Sequence, residues 1–146
     1  MKNIEDCISF LIAKAGQQVN KRAREKLARF GVTPTQYAVL KVLSEENGQS
    51  AADISARLFI DSATITGIID RLVAANLVER RADSVDRRVQ RLYLTADSKR
   101  LQKSLDKEMV QMNKEIAAVL GPSAEGLYES LRHLGDLSRT EVVKKG

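Results

Sequence analysis

Apolar residues recur every three or four positions along most of the chain, which is the period of one helix face. In the N-terminal region this pattern predicts a first helix between Ile4 and Phe30, and Gly31 follows as a left-handed C-cap. The apolar stripe of this helix consists of Ile4, Ile8, Leu11, Ile12, Ala15 and Val19.

The start of a second helix carries a strong local signal. Thr33 and Gln36 have the spacing of a capping box, and Pro34 stands between them at the first helical position. We therefore expect a second helix from Pro34 to about Glu46, followed by a turn at Asn47-Gly48.

Two short helices are expected next, separated by a tight break. Ser50 and Asp53 can cap a third helix that ends near Phe59. Either Asp61 or Ser62 can cap a fourth helix, and Asn76 suits its left-handed exit. The buried stripe of the fourth helix is Ile65, Ile68, Ile69, Leu72 and Val73.

The pattern then changes to that of strands. Residues 77–81 and 90–95 flank a polar loop at 82–89, which predicts a two-stranded hairpin with a long charged tip. The helical period returns after Thr95 and is broken at Gly121-Pro122, where Ser123 can cap a last helix. The apolar positions of these two helices are Leu101, Leu105, Met109, Met112, Ile116, Val119, Leu120, Leu127, Leu131, Leu134 and Leu137.

This order of elements predicts a mainly α fold, a winged helix-turn-helix with about six helices and a two-stranded hairpin as its wing. The first helix and the last two carry more apolar surface than so few helices can bury, so we expect them to pack against a second copy. The predicted organisation is a single unit over 1–146: dimerisation helices at 1–32 and 122–146, the winged helix at 33–100, and a connecting helix at 96–120.

Composition and charge limit the classes of function that the protein can have. The 146 residues include 24 Lys and Arg against 19 Asp and Glu, a net charge of +5, which points to a polyanionic partner. Aromatic residues are only 4%, so platforms for stacking single-stranded bases are scarce. One Cys and one His exclude an intrachain disulfide and a Cys/His metal site.

The sequence contains no nucleophile with its base, no carboxylate pair and no phosphate-cradling glycine loop, so an enzyme is disfavoured and no cofactor or metal is expected. Its apolar runs are far too short to cross a membrane. We expect a soluble, cytoplasmic protein.

The predicted wing is rich in arginine. Residues 80–91 contain five Arg and two Asp, and the planar arginine fork suits phosphates and the narrow minor groove of DNA. Asp86 would repel phosphate, so we expect it to hold a neighbouring Arg in place. The alternative interpretation is a solvated turn without a partner.

The start of the fourth helix is nearly uncharged, which favours insertion among bases. Small hydroxyls there can donate or accept at base edges, and a helix N-terminus favours phosphate. Gly67 fits a close approach of DNA, or else it is a tolerated surface glycine. Ser50 can add a phosphate contact, although capping alone explains it.

Three segments together resemble the MarR family of bacterial winged-helix regulators, and the resemblance extends along nearly the whole chain. The wing segment 83–95 (DSVDRRVQRLYLT) is similar to the family pattern of Asp, two residues, Asp-Arg-Arg, three residues and Leu-x-Leu-Thr. Residues 58–66 are similar to the family's entry into its recognition helix, and residues 33–37 to its second helix start.

The resemblance implies a homodimer that presents two winged helices to a pseudo-palindromic double-stranded DNA operator. It places Arg88 in the minor groove, steadied by Asp86, and Ser62, Thr64 and Thr66 in the major groove. The recognition helices would lie about one DNA turn apart, roughly 34 Å. The full set of candidate DNA-binding residues is Ser50, Ser62, Ala63, Thr64, Thr66, Gly67, Asp86, Arg87, Arg88 and Arg91.

Family members are usually repressors that a small phenolic or aromatic carboxylate releases from DNA. The resemblance places this effector in a cleft lined by the first, second and fifth helices. The candidate residues, each of which could equally be packing or surface, are Phe10, Lys14, Gln18, Arg22 and Tyr37.

Two alternatives remain. Some relatives sense oxidants through an N-terminal cysteine, which makes Cys7 a candidate redox sensor, although a structural cysteine is the simpler interpretation. Winged helices also serve as protein-interaction modules. Salt-dependent binding to one preferred duplex would separate a DNA-binding regulator from such a module.

Overall fold

The computed structural model describes residues 2–137 of the chain, and the predicted mainly α winged helix-turn-helix fold is confirmed. The described residues form six α-helices and one antiparallel hairpin. Their bounds are α1 Ile8–Leu27, α2 Pro34–Glu45, α3 Ala51–Leu58, α4 Ser62–Ala74, β1 Val78–Ala82, β2 Gln90–Leu94, α5 Ala96–Leu120 and α6 Ala124–Gly135. The chain divides into two compact units, one ending at Met109 and the other beginning at Val110.

The predicted helix caps of the first unit are confirmed. The Thr33 hydroxyl accepts from the Gln36 amide at 3.2 Å, and the Ser50 hydroxyl accepts from the Asp53 amide at 3.1 Å. Asp61, rather than Ser62, caps α4. Each cap satisfies an N–H that has no partner within its helix, which fixes where the helix begins.

Two predictions about helix ends are wrong. The first helix is interrupted at Cys7, whose backbone is extended (φ −83°, ψ 117°), because the Asp6 carboxylate accepts from the Asn3 amide at 3.2 Å and closes a separate 3₁₀ turn at Ile4–Asp6. Ser123 makes no side-chain cap to α6, because a 3₁₀ turn at Gly121–Ser123 leads directly into that helix.

One apolar core holds the winged helix together. Its completely buried members come from the five helices α1 to α5 and from the wing. Burying each of these side chains contributes roughly 1.5 to 3 kcal/mol relative to leaving it exposed. They include Leu27, Leu40, Leu43, Ile54, Ile65, Ile69, Leu72, Leu92 and Leu105. Because α4 buries its isoleucine stripe in this core, its opposite face is fixed outward.

The wing is anchored at its base and free at its tip. Val78 pairs with Leu94 at the base, where both are buried, and Ala82 pairs with Gln90 near the tip. Gln49 adds a bridge to Leu92, whose amide donates to the Gln49 carbonyl at 2.9 Å. The sheet therefore carries its charged loop away from the core on a short, fixed stem.

Several helices leave apolar stripes exposed. On α1, Ile8 and Leu11 are 63% and 44% exposed, and on α6, Leu127, Leu131 and Leu134 are 41%, 46% and 39% exposed. These stripes agree with the packing argument for a second copy, while the predicted domain boundaries stay predictions. Residues 138–146 of the predicted dimerisation segment lie outside the described residues.

Within residues 2–137, no helix is both long enough and apolar enough to cross a lipid bilayer.

Candidate nucleic-acid interface

The N-terminal half of α4 presents four small side chains to solvent. Asp61 caps this end, because its carboxylate accepts from the Thr64 amide at 2.8 Å. The helix N-terminus that results carries a partial positive charge, which favours a phosphate. The exposed side chains are Ser62, Ala63, Thr64 and Thr66, opposite the buried isoleucines.

Two of the hydroxyls in this set already donate their protons within the chain. Thr64 Oγ1 donates to Asp61 Oδ2 at 2.7 Å, and Thr66 Oγ1 donates to the Ser62 carbonyl at 2.8 Å. Each oxygen keeps its lone pairs, so these threonines face outward as acceptors. The amino groups of adenine and cytosine are the base-edge donors that match them in the major groove.

Gly67 lies one turn behind Ala63 and is half-buried. Apart from its chain neighbours and the backbone of its own helix, a Cβ built at Gly67 would meet no atom of the described residues within 4 Å, so side-chain packing does not require glycine there.

We expect Gly67→Ala to raise the free energy of unfolding by about 0.5 to 1 kcal/mol, because glycine costs roughly that much in a helix interior. Denaturant unfolding measures this gain. If DNA approaches the helix closely at this point, operator affinity falls although the protein is more stable. Unchanged affinity would support a tolerated surface glycine instead.

The wing tip holds Arg88 on Asp86, as the sequence predicted. Arg88 Nε and a terminal nitrogen donate to the two oxygens of Asp86 at 3.0 and 3.1 Å, and the Arg88 amide donates to the same carboxylate at 3.1 Å. The Arg88 side chain is nevertheless 90% exposed. The guanidinium is thus oriented by a two-point contact and remains open to a partner.

A second acidic residue supports this tip. Asp83 Oδ2 accepts from the Asp86 amide at 3.1 Å, and Asp83 Oδ1 accepts from Arg91 Nε at 3.4 Å. Arg91 also reaches Asp53 of α3 at 3.5 Å. Hydrogen bonds therefore run from the start of α3 to the tip of the wing.

Sequence reasoning missed Asp83 and Asp53 as parts of this site. Asp83 had a signal, because an aspartate three residues before Asp86 in a loop often accepts a local backbone N–H. For Asp53, the sequence indicates only a capping role. Its contact with Arg91 joins residues 38 positions apart, so no local pattern predicts it.

The other predicted DNA-binding residues differ in how exposed they are and in whether their polar groups are already bonded within the chain. Arg87 is exposed on the wing loop. Arg91 is half-buried and engaged by two carboxylates, which suits a positioning role, while direct DNA contact by Arg91 stays a prediction. Ser50 accepts the cap bond of α3, and its hydroxyl proton can still be donated to a phosphate.

The acidic residues of the tip stay ionised at neutral pH. The Arg88 side chain and amide lower the pKa of the Asp86 carboxyl, and the Asp86 amide, followed by Arg91, lowers the pKa of Asp83. Because both pKa values are depressed in the folded chain, these contacts are present at neutral pH and weaken only as the pH falls through the folded-state values.

The predicted effector residues fall into two groups. Phe10, Lys14, Gln18 and Arg22 follow one another at intervals of four along one side of α1, and Lys14 Nζ lies 6.0 Å from the centre of the Phe10 ring. Tyr37 lies on α2 and donates its hydroxyl to Asp106 of α5 at 2.9 Å.

Asp106 is a shared acceptor between α2 and α5. It also accepts from Lys41 at 3.0 Å and from Gln102 at 2.9 Å. Burial and the Asp106 carboxylate raise the pKa of Tyr37 well above its usual range, so its phenol stays protonated. Burial works against the Asp106 carboxylate, but hydrogen bonds from Lys41, Gln102 and Tyr37 outweigh it and lower its pKa.

Cys7 stands at the break before α1. Its Sγ lies 3.2 Å from Ser9 Oγ, and that hydrogen bond lowers the pKa of the thiol. A redox role for Cys7 stays a prediction.

The helix pair α3 and α4, the turn at 59–61 between them, and the hairpin that follows define a winged helix-turn-helix protein. Residues 30–89 match the family model of the MarR family, and the chain belongs to that family.

Curated relatives carry the names of transcriptional regulators. TtmR of Methylorubrum extorquens is 34% identical over 105 residues, which cover 72% of this chain and 54% of that protein. YsmB of Bacillus subtilis is 32% identical over 83 residues, 57% of each chain. The alignments thus span about half the length of these relatives.

Solved structures share the fold over almost the full chain. A structure described as the transcriptional repressor CouR bound to a 23-mer DNA duplex has a TM-score of 0.87 at 21% identity, covering 92% of this chain and 96% of that one. The structure of BpsR from Bordetella bronchiseptica, whose description concerns regulation of DNA binding by 6-hydroxynicotinic acid, has a TM-score of 0.86 at 25% identity and covers 93% and 98%.

Proposed function

We propose that this protein is a dimeric transcriptional regulator that represses its targets by binding a pseudo-palindromic double-stranded DNA operator. The observation that carries the proposal is the oriented Arg88, 90% exposed at the end of an anchored wing. It belongs to the same compact unit as the hydroxyl-bearing face of α4. The relatives named as regulators and the DNA-bound CouR support this function.

The two parts of the surface have different tasks in this proposal. Arg88 enters the minor groove, whose negative potential attracts a guanidinium, and Asp86 limits the conformations that the arginine must give up on binding. The α4 face enters the major groove, where Thr64 and Thr66 accept from base amino groups and Ala63 contacts thymine methyls. Ser50 and the α4 N-terminus hold phosphates.

Dimerisation sets the distance between the DNA-binding surfaces of the two subunits. The exposed stripes on α1 and α6 are covered by a second copy, since apolar faces of this kind are buried in stable oligomers. Two-fold symmetry of the protein then requires a near two-fold symmetric site, with half-sites about one DNA turn, roughly 34 Å, apart.

An effector releases the protein from DNA in this proposal. The α1 side that carries Phe10, Lys14 and Arg22 combines an aromatic ring with cations, which suits a small aromatic carboxylate. The description of BpsR, which names 6-hydroxynicotinic acid, supports such a ligand class. A coupling free energy of about 1 to 3 kcal/mol would change operator affinity roughly 5- to 150-fold.

Selection of bound duplexes from a random pool, followed by binding to the selected duplex over a range of salt, tests the proposed function. We expect one enriched, near-palindromic sequence and a linear fall of log affinity with log salt. Equal binding to all sequences, or no salt dependence, would favour a protein-interaction module and overturn the proposal.

Thr64→Val and Thr66→Val test whether α4 recognises bases in the major groove. Valine keeps the branched shape and removes the acceptor oxygen, so we expect each variant to lose about 1 to 3 kcal/mol of preference for the selected base pair, with a smaller change on unrelated duplexes. Binding to a panel of single-base variants of the operator measures this. A uniform loss over the panel would make these residues phosphate contacts.

A further inference from the structure

A small cavity lies between α4 and the wing, within the first compact unit. Its volume is about 160 Å³, and its lining residues are Ala51, Thr66, Ile69, Arg80, Gln90 and Leu92. Ile69 and Leu92 are buried, whereas Thr66, Arg80 and Gln90 are exposed. The cavity therefore has an apolar floor and a polar rim.

The register of the hairpin explains why Arg80 and Gln90 both reach this cavity. Arg80 pairs with Leu92 across the hairpin, and Gln90 lies two positions before Leu92 in β2. Cross-strand partners and alternate residues of one strand share a face, so these three side chains point the same way. Because Leu92 is buried in the core, this is the face that the wing turns toward α4.

Arg80 and Gln90 supply hydrogen-bond donors at the rim of the cavity. A terminal nitrogen of Arg80 donates to Asp70 Oδ1 on α4, which holds the guanidinium against that helix. A guanidinium has five N–H groups, so this bond leaves others available to a partner. The exposed side-chain amide of Gln90 makes no hydrogen bond within residues 2–137, and it can donate two more.

The cavity lies between the two surfaces that the proposed function assigns to DNA. Thr66 belongs both to its rim and to the exposed face of α4, and Gln90 is two residues from Arg88. In a double helix, one sugar-phosphate strand separates the major groove from the neighbouring minor groove. With α4 in the first groove and Arg88 in the second, that strand would cross the cavity.

We infer that this cavity binds the sugar-phosphate strand between the two grooves. Arg80 and Gln90 donate to one of its phosphates, and the apolar floor contacts the adjoining deoxyribose. The inference rests on the proposed function and adds two DNA contacts that the sequence did not predict. Such contacts fix the position of the protein on the duplex and do not depend on base sequence.

Arg80→Gln tests the charge of this contact. We expect the full chain to bind the selected duplex and unrelated duplexes roughly ten-fold more weakly, because a phosphate contact is independent of sequence. The slope of log affinity against log salt should become shallower by about 0.9 for each subunit. Fluorescence anisotropy over a range of salt measures both, and an unchanged slope would contradict the inference.

Two variants serve as controls for Arg80→Gln. Arg100→Gln removes another arginine that is paired with a carboxylate, and it should change affinity less than about three-fold. Asp70→Asn breaks the same ion pair but keeps the arginine, so we expect it to bind DNA at least as tightly as the unmodified protein. If the pair only stabilises the wing, Asp70→Asn loses as much affinity as Arg80→Gln, which would overturn the inference.

Gln90→Leu tests the neutral donor. It removes hydrogen bonds but no charge, so we expect affinity to fall roughly five-fold while the salt slope stays the same. Unchanged affinity would contradict the contact assigned to Gln90.

Duplexes that carry one uncharged methylphosphonate test the contact from the DNA side. We expect the unmodified protein to lose affinity when this group replaces the phosphate between the bases that α4 contacts and the minor groove that Arg88 enters. Arg80→Gln should lose nothing further at that position, whereas Arg100→Gln should lose as much as the unmodified protein. Equal losses for Arg80→Gln and the unmodified protein at every position would overturn this inference alone. Failure of the unmodified protein to prefer any duplex would overturn the proposed function and this inference with it.

Discussion

Replacing Arg88 with alanine should weaken operator binding roughly 30- to 150-fold while the protein remains folded and dimeric. Each dimer loses two guanidinium groups, and each is expected to contribute about 1 to 1.5 kcal/mol in the minor groove. The side chain is 90% exposed and bonds only to Asp86 among the described residues, so its removal leaves the core intact. Fluorescence anisotropy with the selected duplex at fixed salt measures the loss.

The control for this experiment removes an equal charge elsewhere. Arg100 is 75% exposed on the first turn of α5 and pairs with Asp97. Arg100→Ala should change affinity less than about three-fold, because an exposed cation away from the DNA acts only through a screened field. If Arg88→Ala binds as tightly as the control, the wing tip has no part in recognition.

Asp86→Ala separates the orientation of Arg88 from its charge. This variant raises the net positive charge, so simple attraction to DNA would predict tighter binding. The proposed mechanism gives the opposite sign, because the freed arginine must be ordered on binding at a cost of about 0.5 to 1.5 kcal/mol. Tighter binding by Asp86→Ala would contradict a positioning role for the carboxylate.

Local signals explain which parts of the fold were predictable. The caps at Thr33, Ser50 and Asp61 each join residues three positions apart, so the sequence alone contains both partners of the bond. The bond between Asp86 and Arg88 likewise joins residues only two positions apart. The left-handed backbone at Asn76 is also a local feature, because asparagine itself favours that conformation. Helix caps and left-handed exits of this kind involve residues close together in sequence, so they can be predicted without knowing the tertiary packing.

Contacts between distant segments were not predictable in this way. The bond from Arg91 to Asp53 and the bond from Tyr37 to Asp106 exist only after α2, α3, the wing and α5 have packed. The arginine-rich wing therefore assigned Arg91 to DNA, and the family resemblance assigned Tyr37 to an effector, while the structure shows both engaged by carboxylates. Even within α4, the sequence left the direction of the Thr64 hydroxyl open, and its bond to Asp61 makes it an acceptor toward solvent.

The apolar stripe of α6 gives the second large prediction. Leu127, Leu131 and Leu134 lie on one side of that helix and are 39–46% exposed. A two-fold symmetric interface contains each substitution twice, so Leu131→Glu would place two carboxylates in apolar surroundings. We expect the dimer dissociation constant to rise at least about 100-fold, which corresponds to ~2.7 kcal/mol.

Operator binding should fall with the dimer, because a lone subunit engages only one half-site and loses the gain from linking two. Sedimentation velocity at micromolar protein, with circular dichroism to confirm the helices, measures the oligomeric state beside operator affinity. His133→Glu is the matched control, since it adds a carboxylate at an exposed position of α6 that points away from the leucine stripe. If Leu131→Glu sediments as a dimer like the control, the α6 stripe is not the interface, and the spacing of the two wings must be set by another surface.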